Sequence, residues 1–389
     1  MMARRTSRRL ADGREIIYFD DSPQAPPRIA EDTRPLGERA ASGEIRLDAL
    51  VGDWVAVAGH RSNRTFLPPK DECPLCPSGV GSVPSEVPEA DYDVVVFENR
   101  FPSYSPVSAQ ACGPDGRLGG DLLQSRPALG RCEVVCFTSD HESTFADLTP
   151  QRARTVIDAW ADRTAQLGAL PEVEQVFCFE NRGQQIGVTL NHPHGQIYAY
   201  PYVPQRSAAI LAQATAHHAR TGRLLGADIL AAELEAAERV VIDTEHWTAY
   251  VPFAARWPVE VHLAPRRDVP DLASLTSAER DDLARVYLDL LQRLDRYYVA
   301  KDGSAIRLPY IAGWHQAPAH RGREVSRLHL QVMSVLRSPK KLKYLAGSES
   351  GVGGWVNDVP PEQIAARLRE VAPGVGSGVG SGVAVEVAS

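Results

Sequence analysis

The chain has 389 residues, 43% of them hydrophobic, with a formal net charge of −7. That is enough apolar material for a large core, in one domain or two related ones, and the acidic balance offers no overall basic field to draw in phosphate backbones, so nucleic acid is not the expected partner. No apolar run reaches the roughly 20 residues of a membrane span, the basic start MMARRTSRRLADG lacks a secretory apolar segment, and six cysteines do not resemble a disulfide scaffold, which together point to a soluble cytoplasmic protein.

Residues 1–42 mix charge, proline and turn formers and read as a flexible N-terminal segment. From Glu44 an alternating segment leads into a hairpin strand in GDWVAVAG (52–59), followed by HRSNR (60–64), a proline-rich turn and CPLC (73–76). DVVVFENR (93–100) and RCEVVCFTSD (131–140) read as buried strands. LTPQRARTVIDAWADRTAQLG (148–168) predicts a helix, with Thr149 as N-cap and Pro150 at its first position. VEQVFCFEN (173–181) is a strand, as are GVTL (187–190) and IYAY (197–200), and the alanine-rich 206–239 is helical.

A second block echoes the first. TAYVPFAARWPVEVHLAPRR (248–267) gives two strands, LTSAERDDLARVYLDLLQRLDRYY (275–298) a helix started by Ser277 and Glu279, and RLPYIAGWHQAP (307–318) and RLHLQVMSVLR (327–337) the last strands. Strand–strand–helix–strand–strand therefore occurs twice, which predicts a duplicated α+β unit divided into 43–205 and 206–372. A Gly/Ser/Val tail at 373–389 is expected to be flexible.

Two stretches carry chemistry. In NHPHGQIYAYPYVP (191–204), His192 and His194 would point to one face of a continuous strand, because side chains alternate with period two. Either both ligate a metal, or one ligates and holds the second for chemistry. CPLC spaces Cys73 and Cys76 as half of a zinc site. Incidental turn cysteines are the alternative; a redox dithiol lacks its usual strand–CxxC–helix surroundings. Further ligands would be histidines, His141 and His192 among them, but spacing alone does not select these from the eleven present.

HPHGQ (192–196), with FENRG (179–183) upstream and GWHQAP (313–318) downstream, resembles the galactose-1-phosphate uridylyltransferase family of the histidine-triad superfamily. The resemblance extends over about residues 45–370 and includes GDWVAVAGHRSNR, CPLC, FTSDH (137–141) and KLKYLAGSE (341–349). It implies an α+β fold of two related histidine-triad-like halves, an antiparallel sheet with helices packed on it. It also implies one structural zinc held by Cys73, Cys76, His141 and His192, a closed set with no position left for substrate. His194 is then the nucleophile that takes uridylyl from UDP-glucose, and Gln196 a donor to a phosphoryl oxygen.

By the same resemblance Arg61 and Arg64 meet phosphate and nucleotide, as do Asn99 and Asn181, while Gly187 and Thr189 lie against the phosphoryl group. Lys343, Tyr344, Ser348 and Glu349 form a hexose-phosphate loop shared with a neighbouring subunit, which implies a homodimer with composite sites. Some members hold a second metal through one glutamate and three histidines. His315 and His329 match two of these, but Gln331 stands where the last histidine would be and no glutamate is evident after HPHGQ, so that site is expected to be lost or altered. Thr189 replaces a serine of some members, and Tyr344 and Ser348 also differ from some relatives; His217, His218 and His262 acquire no role. The expected activity is UDP-glucose–hexose-1-phosphate uridylyl transfer to galactose 1-phosphate, ping-pong, in galactose utilisation. The alternatives are a related nucleotidyltransferase or phosphorylase acting on an ADP-sugar or dinucleotide, and a zinc-stabilised nucleotide binder without turnover.

Overall fold

Runs of β-branched and aromatic residues build the sheets, and amphipathic segments cover them. The computed structural model describes residues 3–37, 43–59, 67–79, 84–106 and 120–374. Within these the strands are β1 (Arg4–Arg9), β2 (Glu15–Asp20), β3 (Glu44–Asp48), β4 (Asp53–Val57), β5 (Val94–Glu98), β6 (Ser125–Pro127), β7 (Arg131–Cys136), β8 (Gln175–Arg182), β9 (His194–Tyr200), β10 (Val240–Asp243), β11 (Trp247–Tyr250), β12 (Val259–Pro265), β13 (Tyr298–Val299), β14 (Ala305–Ile306), β15 (Tyr310–His315), β16 (His329–Ser334), β17 (Leu336–Ser338) and β18 (Lys341–Leu342). The α-helices are α1 (Pro150–Gly168), α2 (Gln205–Thr221), α3 (Leu225–Ala236), α4 (Ser277–Asp295) and α5 (Pro361–Glu370).

Eleven strands form one sheet in the order β1-β2-β5-β7-β9-β8-β15-β16-β12-β11-β10, with neighbours antiparallel throughout. The predicted repeat is present: β5-β7-α1-β8-β9 is answered by β11-β12-α4-β15-β16, and the two units meet at β8 and β15, where Phe179 pairs with Gly313. A Cβ at Gly313 would sit 2.5 Å from Phe177 Cζ, so only glycine lets that ring lie across the seam. In this register His329 and Gln331 hold the places in the second unit that His194 and Gln196 hold in the first.

Helices α1 and α4 pack on one face of the sheet and on each other, and one apolar core runs through both units from Phe137, Phe145 and Trp160 to Trp247, Tyr287 and Trp314. Thr149 caps α1 as predicted, its side chain accepting from Arg152 N. Helix α4 starts at Ser277, as read from the sequence, with Thr276 as its cap in a reciprocal box with Glu279. Residues 206–239 are helical as read, in two helices separated where Gly222 turns the chain with φ 69°. The three-stranded sheet β4-β3-β6 lies beside a tyrosine cluster of Tyr104, Tyr198, Tyr200 and Tyr202.

The N-terminal segment corrects the sequence reading. Residues 4–20, expected to be flexible, form a hairpin, and β2 pairs with β5 through its buried Ile16–Phe19. Arginines of this segment are partnered: Arg4 with Asp20, Arg14 with Glu86, and Arg28 with Asp20 at 2.5 Å. Residues 38–42 and 375–389 lie outside the described residues.

Candidate active site

The chain reaches the site through a loop, where the sequence had suggested a strand. GVTL (187–190) is not extended sheet: a 3₁₀ turn at Gln184–Ile186 is flanked by Gly183 (φ 96°) and Gly187 (φ 82°), both in the region that favours glycine. β9 begins only at His194, after Pro193, which has no N–H to give to a ladder. His192 therefore precedes the strand, and the two imidazoles are not held by strand alternation.

His192 is 1% exposed and points into a cluster with Cys73, Cys76 and His141, whose ligand atoms lie within 4.8 Å of one another. Cys76 Sγ is 3.3 Å from His141 Nδ1 and 3.6 Å from His192 Nδ1. A tetrahedral zinc with ordinary bond lengths has an S···N edge of about 3.6 Å, so these residues fit such an ion. His192 Nε2, on the far side of the ring, is 2.9 Å from Thr138 O and 2.9 Å from the Tyr92 hydroxyl, which itself donates to Leu75 O. The Nε2–H thus donates outward and leaves the Nδ1 lone pair facing the thiols, an arrangement that fixes the tautomer for a metal.

His194 is half-buried at the head of β9, and its Nδ1 lies 2.7 Å from the carbonyl oxygen of His192. A carbonyl only accepts, so Nδ1 carries the proton and Nε2 keeps its lone pair. Burial pushes the His194 pKa below its ordinary value, and the hydrogen bond to the His192 carbonyl partly opposes this; the net effect favours neutral imidazole. Gly195 pairs with Glu180 and Val135, and a Cβ there would meet Phe137 Cζ and Phe179 O at 2.9 Å each. β9 fits the sheet because position 195 has no side chain.

The other predicted residues fall into three groups. Gln196 is half-buried two residues along β9 from His194, and Asn181 follows Glu180 on β8, so both share the face of His194. Gly187 and Thr189 lie in the connecting loop, where Thr189 O accepts from Leu67 N at 2.8 Å. Asn99 lies just beyond β5, and its side-chain oxygen accepts from Phe101 N at 2.8 Å, which shapes the turn. Arg61 and Arg64 lie outside the described residues.

The C-terminal loop closes on itself. Lys343 is 3% exposed; its Nζ lies 2.9 Å from Glu349 Oε1 and also donates to Val356 O. The Lys343 ammonium holds the Glu349 carboxylate below its usual pKa. Ser348 Oγ donates to Gly354 O at 2.7 Å, while Tyr344 stands 76% exposed. Among the described residues no hydrogen bond or ion pair joins this loop to β9 of the same chain. Sequence reasoning missed Tyr92 and Glu260. Tyr92 was legible only as an aromatic residue two positions before a buried strand.

Two related halves on one antiparallel sheet, with a metal-competent cluster beside the half-buried His194 at the head of a central strand, make this an α+β protein with a site fit to hold a metal. The family model for the galactose-1-phosphate uridyl transferase N-terminal domain matches residues 35–204, and that for the C-terminal domain matches 210–375. The galactose-1-phosphate uridylyltransferase of Streptomyces lividans is 47% identical over 380 residues, covering 95% of this chain and 98% of that protein. The Thermotoga maritima enzyme of the same name is 34% identical, covering 84% and 98%. A solved uridylyltransferase superposes with a TM-score of 0.74 at 32% identity, covering 84% of this chain and 98% of that one. The chain belongs to the galactose-1-phosphate uridylyltransferase family. No helix among the described residues is long and apolar enough to cross a membrane.

Proposed function

We propose that this chain moves uridylyl from UDP-glucose to galactose 1-phosphate by way of a covalent uridylyl-His194. The observation that carries the reading is the 2.7 Å contact from His194 Nδ1 to the His192 carbonyl, which leaves Nε2 as the attacking atom. The Nε2 lone pair forms a bond to the α-phosphorus, the bond from that phosphorus to the bridging oxygen breaks, and glucose 1-phosphate departs with the electron pair. Galactose 1-phosphate then attacks the same phosphorus through a phosphate oxygen, the P–N bond breaks, and Nε2 recovers its lone pair. The Nδ1 proton stays in place through both steps, and the His192 carbonyl stabilises the positive ring of the intermediate.

In this reading Gln196 donates an amide N–H to a non-bridging oxygen as charge grows there, a contribution of about 3 kcal/mol in a site that excludes water. Arg61 and Arg64, with Asn99 and Asn181, take the phosphates and nucleotide in this reading, and Gly187 and Thr189 line the approach. Zinc at Cys73, Cys76, His141 and His192 supplies no Lewis acid to substrate; bound there, it fixes the backbone on which His194 turns. Cys73, Cys76, Cys136 and Cys178 carry no disulfide, which suits a reducing cytoplasmic setting.

The loop of Lys343, Tyr344, Ser348 and Glu349 serves the hexose phosphate of a partner's site in a homodimer. Support comes from its apolar exposure: Tyr344, Leu345 at 44% and Val352 at 84% present to solvent a surface that a second copy would cover. A solved ADP-glucose phosphorylase from Arabidopsis thaliana, 21% identical with a TM-score of 0.62, shares the fold, so the donor nucleotide is tested directly. The experiment is the mass of the intact protein after exposure to UDP-glucose, to ADP-glucose and to buffer. A gain of one uridylyl group with UDP-glucose alone is expected. A gain of adenylyl from ADP-glucose, or no gain at all with turnover intact, overturns the reading.

A further inference from the structure

The face of the sheet that carries His194 holds a second polar cluster, on β12, β15 and β16. Gln331 is 0% exposed and pairs with His262 on one side and Gly313 on the other, in the same cross-strand row as Gln196 and Phe179. The Glu260 carboxylate can only accept, so the amide nitrogen of Gln331 must face it, and Nε2 lies 2.6 Å from Glu260 Oε1. That turns the amide oxygen to His315, whose Nε2 donates across 3.2 Å. His262 Nε2 lies 3.2 Å from the same Glu260 oxygen. His315 Nδ1 is buried with no hydrogen-bond partner, a lone pair that the network leaves over.

These side chains do not fit the second metal that the resemblance allows in some members. The rings of His315 and His329 are stacked, with planes 16° apart and centroids 4.8 Å apart. Imidazole lone pairs lie in the ring plane, so an ion about 2.1 Å from both would need the rings edge to edge rather than stacked. A carboxamide, the weakest donor of the group, fills the middle. Among the described residues, the Cys73, Cys76, His141 and His192 set is the one that gathers at least three such ligands within reach of an ion.

We infer that the Gln331 carboxamide does the work of a metal ion in this half, tying β12 to β15 and, through Glu260, positioning the segment that closes the hexose loop. The route is continuous. Glu260 Oε2 accepts from Arg256 N at 2.6 Å and Trp257 N at 3.2 Å. Asn357 Nδ2 donates back to that turn, to Ala255 O at 3.1 Å and Trp257 O at 3.0 Å, and Trp355 packs on Trp257 with ring centroids 5.1 Å apart. Val356, between them, accepts from Lys343 Nζ. Gln331 is thus a positioning residue, three links from the loop. The clamp stands on geometry alone; its effect on the hexose rests on the function proposed for that loop.

The test uses the full chain and its Gln331→Leu variant, with three readouts. After loading with excess Co²⁺ or Zn²⁺ and desalting, wild-type protein should hold one ion per chain, at the cysteine cluster, and the variant the same. The variant should melt at least about 3 °C lower, because Glu260 and His315 lose their buried partner. Its KM for galactose 1-phosphate should rise several-fold, while the amplitude of single-turnover uridylylation at saturating UDP-glucose stays near wild type. A second tightly held ion in wild type, or a variant that melts with wild type, overturns the clamp. A lower melting temperature with unchanged KM keeps the clamp and overturns its link to the loop. Failure of wild type to be uridylylated at all would strike the proposed function and leave the metal and melting results to decide the clamp. If Gln331→Leu does not fold, the metal count on wild type still decides whether an amide or an ion sits here.

Discussion

His192 grips both centres at once: its Nδ1 lies 3.6 Å from Cys76 Sγ, and its carbonyl oxygen lies 2.7 Å from His194 Nδ1. The side chain belongs to the metal-competent cluster, and the main chain orients the His194 ring proposed as the nucleophile. Loss of the metal should therefore reach the chemistry with no ligand touching substrate. Cys73→Ser should lower the zinc content well below the expected one ion per chain, destabilise the protein, and reduce uridylylation in proportion. Metal analysis beside activity checks it; full activity in a zinc-free preparation would refute the link.

His194→Gly removes the attacking nitrogen and keeps the His192 carbonyl and the cluster. Turnover should fall by at least about three orders of magnitude, with zinc content and fold near wild type. Imidazole added to the variant should restore part of the reaction with UDP-glucose by occupying the vacated space. Substantial turnover by the variant without imidazole would exclude the covalent route.

Gly195→Ala tests how tightly β9 is seated. The added Cβ would stand 2.9 Å from Phe179 O, a backbone atom that cannot swing aside. We expect a loss of about 1–3 kcal/mol in stability and a fall in uridylylation larger than the fall in folded protein. Denaturant melts and initial rates on the same samples would show it. A variant as stable and as active as wild type would mean that the strand has slack here.

Glu279 gives a pH dependence whose sign can be worked out. Hydrogen bonds from Arg267, foremost, and from the Thr276 cap lower its pKa to about 2 in the folded chain. A folded pKa below the unfolded one, about 4.3 for glutamate, contributes stability that is fully present above the unfolded value and is lost as pH falls toward 2. With Arg267 half-exposed, screening reduces the effect to about 1 kcal/mol. The stability gap between wild type and Glu279→Gln should hold steady from pH 7 to 5 and narrow from pH 4.5 downward. A gap independent of pH over that range would contradict the assignment.

The shared site can be tested by complementation. A chain with His194→Gly and a chain with Glu349→Ala should each be nearly inactive, because each spoils every composite site of its own homodimer. Co-expressed, their mixed dimer holds one intact site and one doubly damaged one, so about half of normal activity should return to that species. Purified heterodimers that stay inactive, or an active wild-type monomer at assay concentration, would rule out sharing.

Much of this was legible in the chain, for physical reasons that differ from place to place. The α1 start follows from Thr149 and Pro150, since cap and first-turn chemistry is local. The duplicated order of elements follows from the period of the apolar residues. HPHGQ assigns separate roles to its two histidines only through resemblance, because nothing in its spacing says which of them faces the thiols. The N-terminal hairpin was missed because the partners of Arg14 and Arg28, Glu86 and Asp20, meet them only after folding. The loop at 187–190 was taken for strand because Val188, Thr189 and Leu190 suit sheet, while the deciding facts are the backbone angles at Gly183 and Gly187. Glu260 and His262 went unassigned because their partner, Gln331, lies 71 residues from Glu260 along the chain.

The junction at β8 and β15 has a consequence for how such a molecule can be divided. The two units are joined by a ladder of main-chain hydrogen bonds, from Arg182–Tyr310 to Phe179–Gly313, and by a common core. Severing the chain near residue 205 would leave each piece with an open strand border and an uncovered apolar flank, the template on which chains aggregate. Either piece made alone should therefore be insoluble or pair with a copy of itself through the bared strand. A self-paired fragment of that kind would restore, with two identical chains, the arrangement that the intact chain achieves with one.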